Sequence, residues 1–395
     1  MITVLFITVI GYFMSLYARG YRFDPKTLKF SPSGLLVTKS SPDGAQVFVN
    51  GELKTATNAN LSLTPGTYDV SIKKEGYFTW NKRLKIEKEV VTQADAHLFR
   101  IAPSLSTVTF SGAEKPVASE DLGKIAYSVP ATGENLSEDK EGLWLIETFN
   151  LPLGFSREPK RITDGDLKDA SWRFSPDGRE ILLENASGKY LLESGVFTPQ
   201  AKRINIAATL DKTLEEWEKE RAARLKAQLR GLPEKLVEML TNATESVVFS
   251  PDENKILYKA KADFTLANDL IKPIPGSSSQ KQEREVKKGR IYVYDIKEDR
   301  NFLISDEQIT ITNYLPNTTS DGQALHWFPT SLHLLLAKPD KVIIMDYDGT
   351  NRQEVYSGAY SVPNAFPIAA TDRILILTNL GANSSLANLY SLGLK

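Results

Sequence analysis

WRFSPDGREILL, residues 172–183, is the stretch whose reading decides the fold. Trp172 and Phe174 alternate with polar neighbours at period two, Ser175, Pro176, Asp177 and Gly178 make a tight turn, and Ile181, Leu182 and Leu183 open a second strand. The same frame returns as VFSPDENKILY at 248–258, with Ser250, Pro251 and Asp252 in the turn, and more weakly as WFPTSLHLLL at 327–336. Two further copies keep the frame without the full turn: VASEDLGKIAY at 117–127 and FPIAATDRILI at 366–376. After each comes another hairpin half, namely GLWLI at 142–146, KYLL at 189–192, RIYVY at 290–294, KVIIM at 341–345 and NLYSL at 388–392.

Strand, turn, strand and a second hairpin make the four-stranded blade of a β-propeller, so the expected fold class is all-β, with residues 101–395 as the propeller. Five copies predict five blades. Six is the alternative, if residues 101–113 help close the ring or an irregular blade lies around 305–320. The Phe-Ser-Pro-Asp-Gly units, together with the MDYDGTNR stretch at 345–352, resemble the TolB-type propeller repeat, whose outer hairpin carries an Asp-Gly-Ser/Thr-Asn turn. That resemblance implies a fold far more than a function, because propellers serve scaffolds, periplasmic partners and peptidases alike.

Two insertions interrupt the repeats. Between 209 and 241 the apolar period becomes helical, with Leu214, Trp217, Leu225, Leu229 and Leu232 on one stripe and Thr213 and Glu216 spaced as a capping box. Gly231-Leu232-Pro233 should end this helix and start a second one through Leu236 and Leu240. The stripe either packs on the propeller or recruits a partner. The second insertion, 272–289, is rich in Pro, Gly, Ser and charge and reads as a flexible loop.

Residues 30–100 read as a smaller β-sandwich. Strand signals alternate with turns at Pro42, Asp43, Gly44 and Ala45, at Asn50-Gly51, at Pro65-Gly66 and at Glu75-Gly76, and Tyr68, Val70 and Ile72 share one face. This stretch resembles the PEGA domain: Pro42-Asp43-Gly44-Ala45 stands where the family has Pro-Glu-Gly-Ala, and the Asn50-Gly51 hairpin, the Leu63-to-Tyr68 turn and the Lys74-to-Tyr77 close follow in order. The resemblance implies an extracytoplasmic module found beside other envelope domains, with carbohydrate or protein binding suspected and no catalytic residues. Tyr77 and Trp80 are either an exposed aromatic platform or part of a core.

The first 18 residues, MITVLFITVIGYFMSLYA, carry no charge and at ~1.5 Å per residue reach roughly 27 Å, a minimal membrane span. Tyr12, Tyr17 and Tyr21 with Arg19 and Arg22 have the pattern of an interfacial belt, so residues 1–22 are expected to be an uncleaved single-pass anchor. A cleaved signal is the alternative, although Leu16-Tyr17-Ala18 lacks its small residue. Arg19, Arg22 and Lys26 would hold the bulk of the chain inside the cytoplasm by charge alone; export predicts a start upstream of Met1 that supplies Lys or Arg.

Charge and composition remove several chemistries. Lys+Arg 48 against Asp+Glu 49 leaves no basic footprint for nucleic acid. The absence of cysteine excludes thiolate metal sites, and having only His97, His326 and His333 removes most multi-histidine ones. No Gly-x-Ser-x-Gly elbow or phosphate loop occurs. Asp164, Asp166 and Asp169 could line a channel as an acid and base, and Asp346, Asp348 and Asn351 could ligate calcium, but turn formation accounts for both sets. Triplets beginning at Asn60, Asn185, Asn242, Asn317 and Asn383 match glycosylation acceptors, and no modification is assigned to them.

The sequence therefore predicts a membrane-anchored, extracytoplasmic binding or scaffold protein of the bacterial envelope. Its propeller is the recognition head for a protein or cell-wall glycan, and no nucleic acid, catalytic residue, metal or cofactor is expected. Pro42, Asp43, Gly44, Ala45, Ser175, Pro176, Asp177, Gly178, Ser250, Pro251 and Asp252 are assigned as structural turns. The alternatives are an enzyme acting on polysaccharide through channel carboxylates and a purely structural envelope component.

Overall fold

Why Ser-x-Asp opens each turn is visible in its hydrogen bonds. The hydroxyls of Ser119, Ser175 and Ser250 donate to the carboxylates of Asp121, Asp177 and Asp252 at 2.5, 2.6 and 2.7 Å. Each also accepts the amide five residues on, from Lys124, Glu180 and Lys255, at 3.0, 2.9 and 3.0 Å. The aspartate in turn accepts the amide of Gly123, Arg179 or Asn254, so every turn satisfies its own backbone. The next residue, Leu122, Gly178 or Glu253, takes the left-handed conformation that closes the turn.

These turns belong to a computed structural model that describes residues 2–18, 20–24, 29–130, 140–149, 158–272, 274, 278–307, 309–311, 322–381 and 386–395. Arg19, Lys26, Pro273, Pro275 and the acceptor triplets beginning at Asn317 and Asn383 lie wholly or partly outside the described residues.

Among the described residues, five sheets of three to five strands follow one another along the repeat region, with one further two-stranded pair between them. Sheet I is Glu114–Ala118, Lys124–Val129, Gly142–Glu147 and Lys160–Thr163. Sheet II is Ser171–Phe174, Glu180–Asn185 and Gly188–Glu193, its fourth position reduced to a bridge between Tyr190 and Asn205. Sheet III is Thr244–Phe249, Lys255–Ala260, Ile291–Asp295 and Arg300–Ser305. Sheet IV is Ala324–Trp327, His333–Lys338, Lys341–Asp346 and Gln353–Ser357, with Thr310–Ile311 added parallel to its first strand. Sheet V joins Ala365–Pro367, Arg373–Thr378 and Asn388–Gly393 to Ser104–Thr107 from the beginning of the region. Residues 101–113 thus complete the last sheet, and the described part of 305–320 adds an inner strand to sheet IV. The architecture is that of a β-propeller.

The cores lie between sheets. Ile125, Tyr127, Phe328, Leu335, Phe366 and Ile374 form one cluster shared by sheets I, IV and V. Leu257, Val293, Trp327 and Leu334 join III to IV. Lys124 reaches across from sheet I to the Gly178 carbonyl and the Ser194 hydroxyl of sheet II, both at 2.8 Å.

The helical insertion forms α1, Leu210–Leu229, and α2, Glu234–Asn242, broken at Gly231-Leu232-Pro233 as the sequence predicts. The capping box does not form: the helix starts before Thr213, and Thr213 bonds back to the Thr209 carbonyl at 3.3 Å. Trp217 is buried, Leu214, Leu229 and Leu232 are partly buried and Leu225 is exposed, so the stripe packs only in part. The described part of the 272–289 insertion also makes contacts that its composition does not announce. Glu285–Val286 pairs with Phe264–Thr265, and the Ser279 hydroxyl and Gln280 side chain both donate to the Arg83 carbonyl.

Residues 34–97 fold as two facing sheets, one of Ala59–Leu63, Gly34–Ser41 and Val91–His97, the other of Glu52–Ala56, Gln46–Val49, Gly66–Lys73 and Trp80–Ile86. Leu36, Val47, Val70, Ile72 and Leu84 fill the space between them. At the Pro42 turn, Gly44 has φ +72° and Ala45 is fully buried with its amide on the Thr57 hydroxyl, 3.0 Å away. A larger residue than Ala45 would not fit that core.

Ahead of the sandwich, Ile2–Ala18 is a helix of 17 residues, followed by a small hairpin of Arg22–Asp24 and Lys29–Ser31. Phe30 of the hairpin stacks on Phe13 of the helix at 5.1 Å and on Phe23 at 5.4 Å, and Arg22 lies over Tyr17. Among the described residues no helix is long and apolar enough to cross a membrane.

Candidate recognition face and interdomain junction

The Ser-x-Asp turns all open on one face of the propeller, and α1 lies across it. Arg221 and Arg224 hold Glu120, on the sheet I turn, at 2.7 and 3.0 Å. Arg224 also donates to the Pro176 carbonyl on the sheet II turn, and Gln228 to Glu253 on the sheet III turn at 2.9 Å. Beneath the helix a cavity of about 480 Å³ is lined by Glu120, Arg221, Arg224, Val248, Phe249 and Ile311. The carboxylates here are committed: Asp121, Asp177 and Asp252 to their turns, Glu120 to two guanidinium groups. Hydrogen bonding by Ser175 and the Arg179 amide outweighs burial and lowers the Asp177 pKa, and Asp252 is lowered likewise by Asn254, Ser250 and Lys255. Such groups stay ionised and are poor proton donors.

Because Glu120 is the sheet I carboxylate that both helix arginines hold, Glu120→Ala is expected to speed amide exchange through 210–229 about tenfold. It should cost only about 1 kcal/mol overall, since both arginines are partly in water. Unchanged exchange in that segment would show that Trp217 and Gln228 suffice.

The second concentration of charge lies where the sandwich meets sheet IV. Lys82, from Trp80–Ile86, puts its ammonium 2.9 Å from Asp348 and 3.3 Å from Asp346, with all three side chains largely or fully buried. Trp80 donates its indole N–H to Asp346 at 3.2 Å. Asn351 imitates a strand: its carboxamide accepts the Asn81 amide at 2.9 Å and donates to the Asn81 carbonyl at 3.1 Å. The MDYDGTNR turn therefore receives a protein ammonium, and Asp346, Asp348 and Asn351 are the partners of Lys82, Trp80 and Asn81 rather than an outer turn facing solvent.

The electrostatics of this cluster follow from burial. Desolvation alone would lower the Lys82 pKa, but the charges of Asp346 and Asp348 overcome it and push the pKa up. Two carboxylates share one ammonium, and burial together with Asp348 raises Asp346 despite Lys82. His333 approaches Asp346 at 3.6 Å and its ring is 5.5 Å from that of His97 on the sandwich. Burial, and then the charge of Lys82, lowers His333 to about 3; burial, with His333 and Lys395, lowers His97 to about 3. Phe99 wedges into the propeller core 5.1 Å from His333, and the Arg100 amide donates to the Leu394 carbonyl at 2.9 Å.

Other sequence expectations find their places here. Trp80 is 4% exposed and Tyr77 lies half-buried under Arg100, so the two make no exposed platform. Asp164 accepts the Gln200 amide and Asp166 the Lys168 amide, while Asp169 is exposed; all three belong to the connection between sheets I and II. Among the described residues no group of three or more His, Asp or Glu could hold a metal ion. The junction residues Lys82 and Asn81 carry no local motif, whereas Trp80, Asp346, Asp348 and Asn351 stand out in the sequence for other reasons and His333 only as one of three histidines.

Residues 33–101 match the PEGA domain. No curated protein matches the chain. Among solved structures, a TolB-type protein from Agrobacterium tumefaciens is 12% identical, covering 71% of this chain and 78% of its own, with a TM-score of 0.21. TolB from Acinetobacter baumannii is also 12% identical, over 83% of this chain and 59% of its own, with a TM-score of 0.19. A Bacteroides thetaiotaomicron protein of unknown function is 9% identical over 94% of this chain and 100% of its own, at 0.23. At these scores the propeller rests on its own sheet topology.

Proposed function

We propose, from the premise that a PEGA domain is locked onto a propeller, that this chain is a membrane-tethered, extracytoplasmic binding or scaffold protein of the cell envelope. The PEGA domain is a fixed stalk and a five-bladed ring is the recognition head. The observation that carries this reading is the junction: a buried Lys82 between two buried carboxylates holds sandwich and propeller as one body, as a spacer that must present a surface requires. The reading is non-catalytic, and the engagement of Asp121, Asp177, Asp252 and Glu120 supports it.

The Ile2–Ala18 helix falls short of a span by itself, and the proposed tether is this helix together with the residues that flank it. Its side chains are exposed around the whole circumference, from Val4 and Leu5 to Met14 and Tyr17, which water does not favour and lipid does. At ~1.5 Å per residue it is about 26 Å long, and the Phe23–Phe30 hairpin with Arg22 supplies an interfacial collar.

A reporter fused after Lys395, combined with protease treatment of intact cells, tests the reading. The full chain should sediment with membranes and be digested from outside, and removal of residues 1–29 should release it. Complete protection in intact cells, or a membrane-free full chain, would overturn it.

A further inference from the structure

Away from the turn face, sheets I and V border a groove of about 400 Å³ lined by Phe110, Tyr127, Val129, Trp144, Lys140 and Glu158, among others. Phe110 is 84% exposed, yet the turn that carries it is pinned. The Asn388 carboxamide oxygen accepts from the Thr109 hydroxyl at 2.9 Å and the Gly112 amide at 3.1 Å, and the Thr109 hydroxyl accepts the Leu389 amide at 2.9 Å. A phenyl ring held out by fixed backbone is prepared for contact. Trp144 has its indole N–H satisfied by the Lys140 carbonyl at 2.8 Å, which leaves the ring face to the groove.

Tyr127 adds an observation of another kind. It is 2% exposed and lines the groove, and among the described residues its hydroxyl has no hydrogen-bond partner. Its phenol oxygen is not itself sealed from solvent, so it meets the open groove and is available to a hydroxyl of an occupant. Ser111, Lys140 and Glu158 also line the groove, one cation and one anion whose charges cancel.

We propose that this groove binds a neutral saccharide unit. The inference rests on the reading of the propeller as a recognition head and names its ligand class. Aromatic faces take the apolar C–H face of a pyranose, and a phenol, a hydroxyl, an ammonium and a carboxylate take its hydroxyls. Balanced charge selects against an acidic polymer. An extended peptide fits less well, because Pro159 in the groove wall has no N–H for a strand ladder.

The test is calorimetric titration of the full chain in detergent with maltotriose, laminaritriose and triacetylchitotriose, with a trigalacturonate as the acidic control. At least one neutral trisaccharide should bind, Phe110→Ala and Tyr127→Phe should each weaken it about tenfold or more, and trigalacturonate should not compete. Phe110 is in solvent and Tyr127→Phe removes a single oxygen, so neither change threatens the fold. Absence of binding by all three neutral sugars, preferential binding of trigalacturonate, or affinity untouched by both substitutions overturns the proposal. Membrane sedimentation and outside digestion with no sugar binding would remove the ligand class alone and leave the tethered head standing.

Discussion

Lys82→Met is expected to destabilise the protein by about 3–5 kcal/mol. Removing the ammonium leaves Asp346 and Asp348 buried with no countercharge, and Trp80 and Asn351 can serve Asp346 only as neutral donors. The pair itself is not the source of that figure. Replacing all three charges, with Lys82→Met, Asp346→Asn and Asp348→Asn together, should recover most of the loss, because desolvation is then no longer opposed by nothing. Chemical denaturation of the single and triple variants measures both, and proteolysis near Arg100 reports whether sandwich and propeller have parted. A loss under about 1 kcal/mol for Lys82→Met would mean that water enters the junction.

Acid should loosen the same junction. His333 and His97 are held near 3 against an ordinary value of 6.5, so the unfolded chain binds protons that the folded chain refuses. Their contribution is fully present above pH 6.5 and is lost as pH falls towards 3. For His333, which faces Lys82, Asp346, Asp348 and His97, the loss between pH 7 and pH 5 is about 2 kcal/mol; the partly exposed His97, facing His333 and Lys395, contributes less. Asp346 works the other way, since burial raises its pKa and so favours the folded state as it protonates. Unfolding free energies measured at pH 5, 6 and 7 should fall steeply for the natural chain and less steeply for His333→Gln. Equal slopes would remove His333 from the account.

Local pattern carried most of the architecture. Ser175-Pro176-Asp177-Gly178 and Ser250-Pro251-Asp252 were legible because a turn is a short-range object, and their hydrogen bonds repeat at identical spacing. The copy at 117–127 has the same turn, with Leu122 at φ +57° where a glycine would have announced it. A branched residue in that conformation is tolerated because Ser119 and Asp121 fix the backbone around it. What could not be read was contact at long range. Lys82 and Asp346 are 264 residues apart, and nothing in either neighbourhood specifies the other. Loop 278–280 likewise looks flexible by composition and is held by a carbonyl in a different domain. The groove at Tyr127 was invisible for the same reason, since its walls come from four separate stretches of chain.

The closure of sheet V has a consequence in time. Thr109 and Leu389, bonded across that seam, are separated by 280 residues, so the ring cannot shut until nearly all of the chain has been made. Bringing such distant ends together is among the slowest contacts to form. The PEGA sandwich is synthesised early and its pairings are comparatively local, so it is complete while the propeller is still an open row of sheets. Asp346 reaches Lys82 only late. A chain that is stalled before Asn388 would therefore present a finished sandwich beside an unlatched propeller, and its unpaired Ser104–Thr107 strand would be the first place for proteases to act.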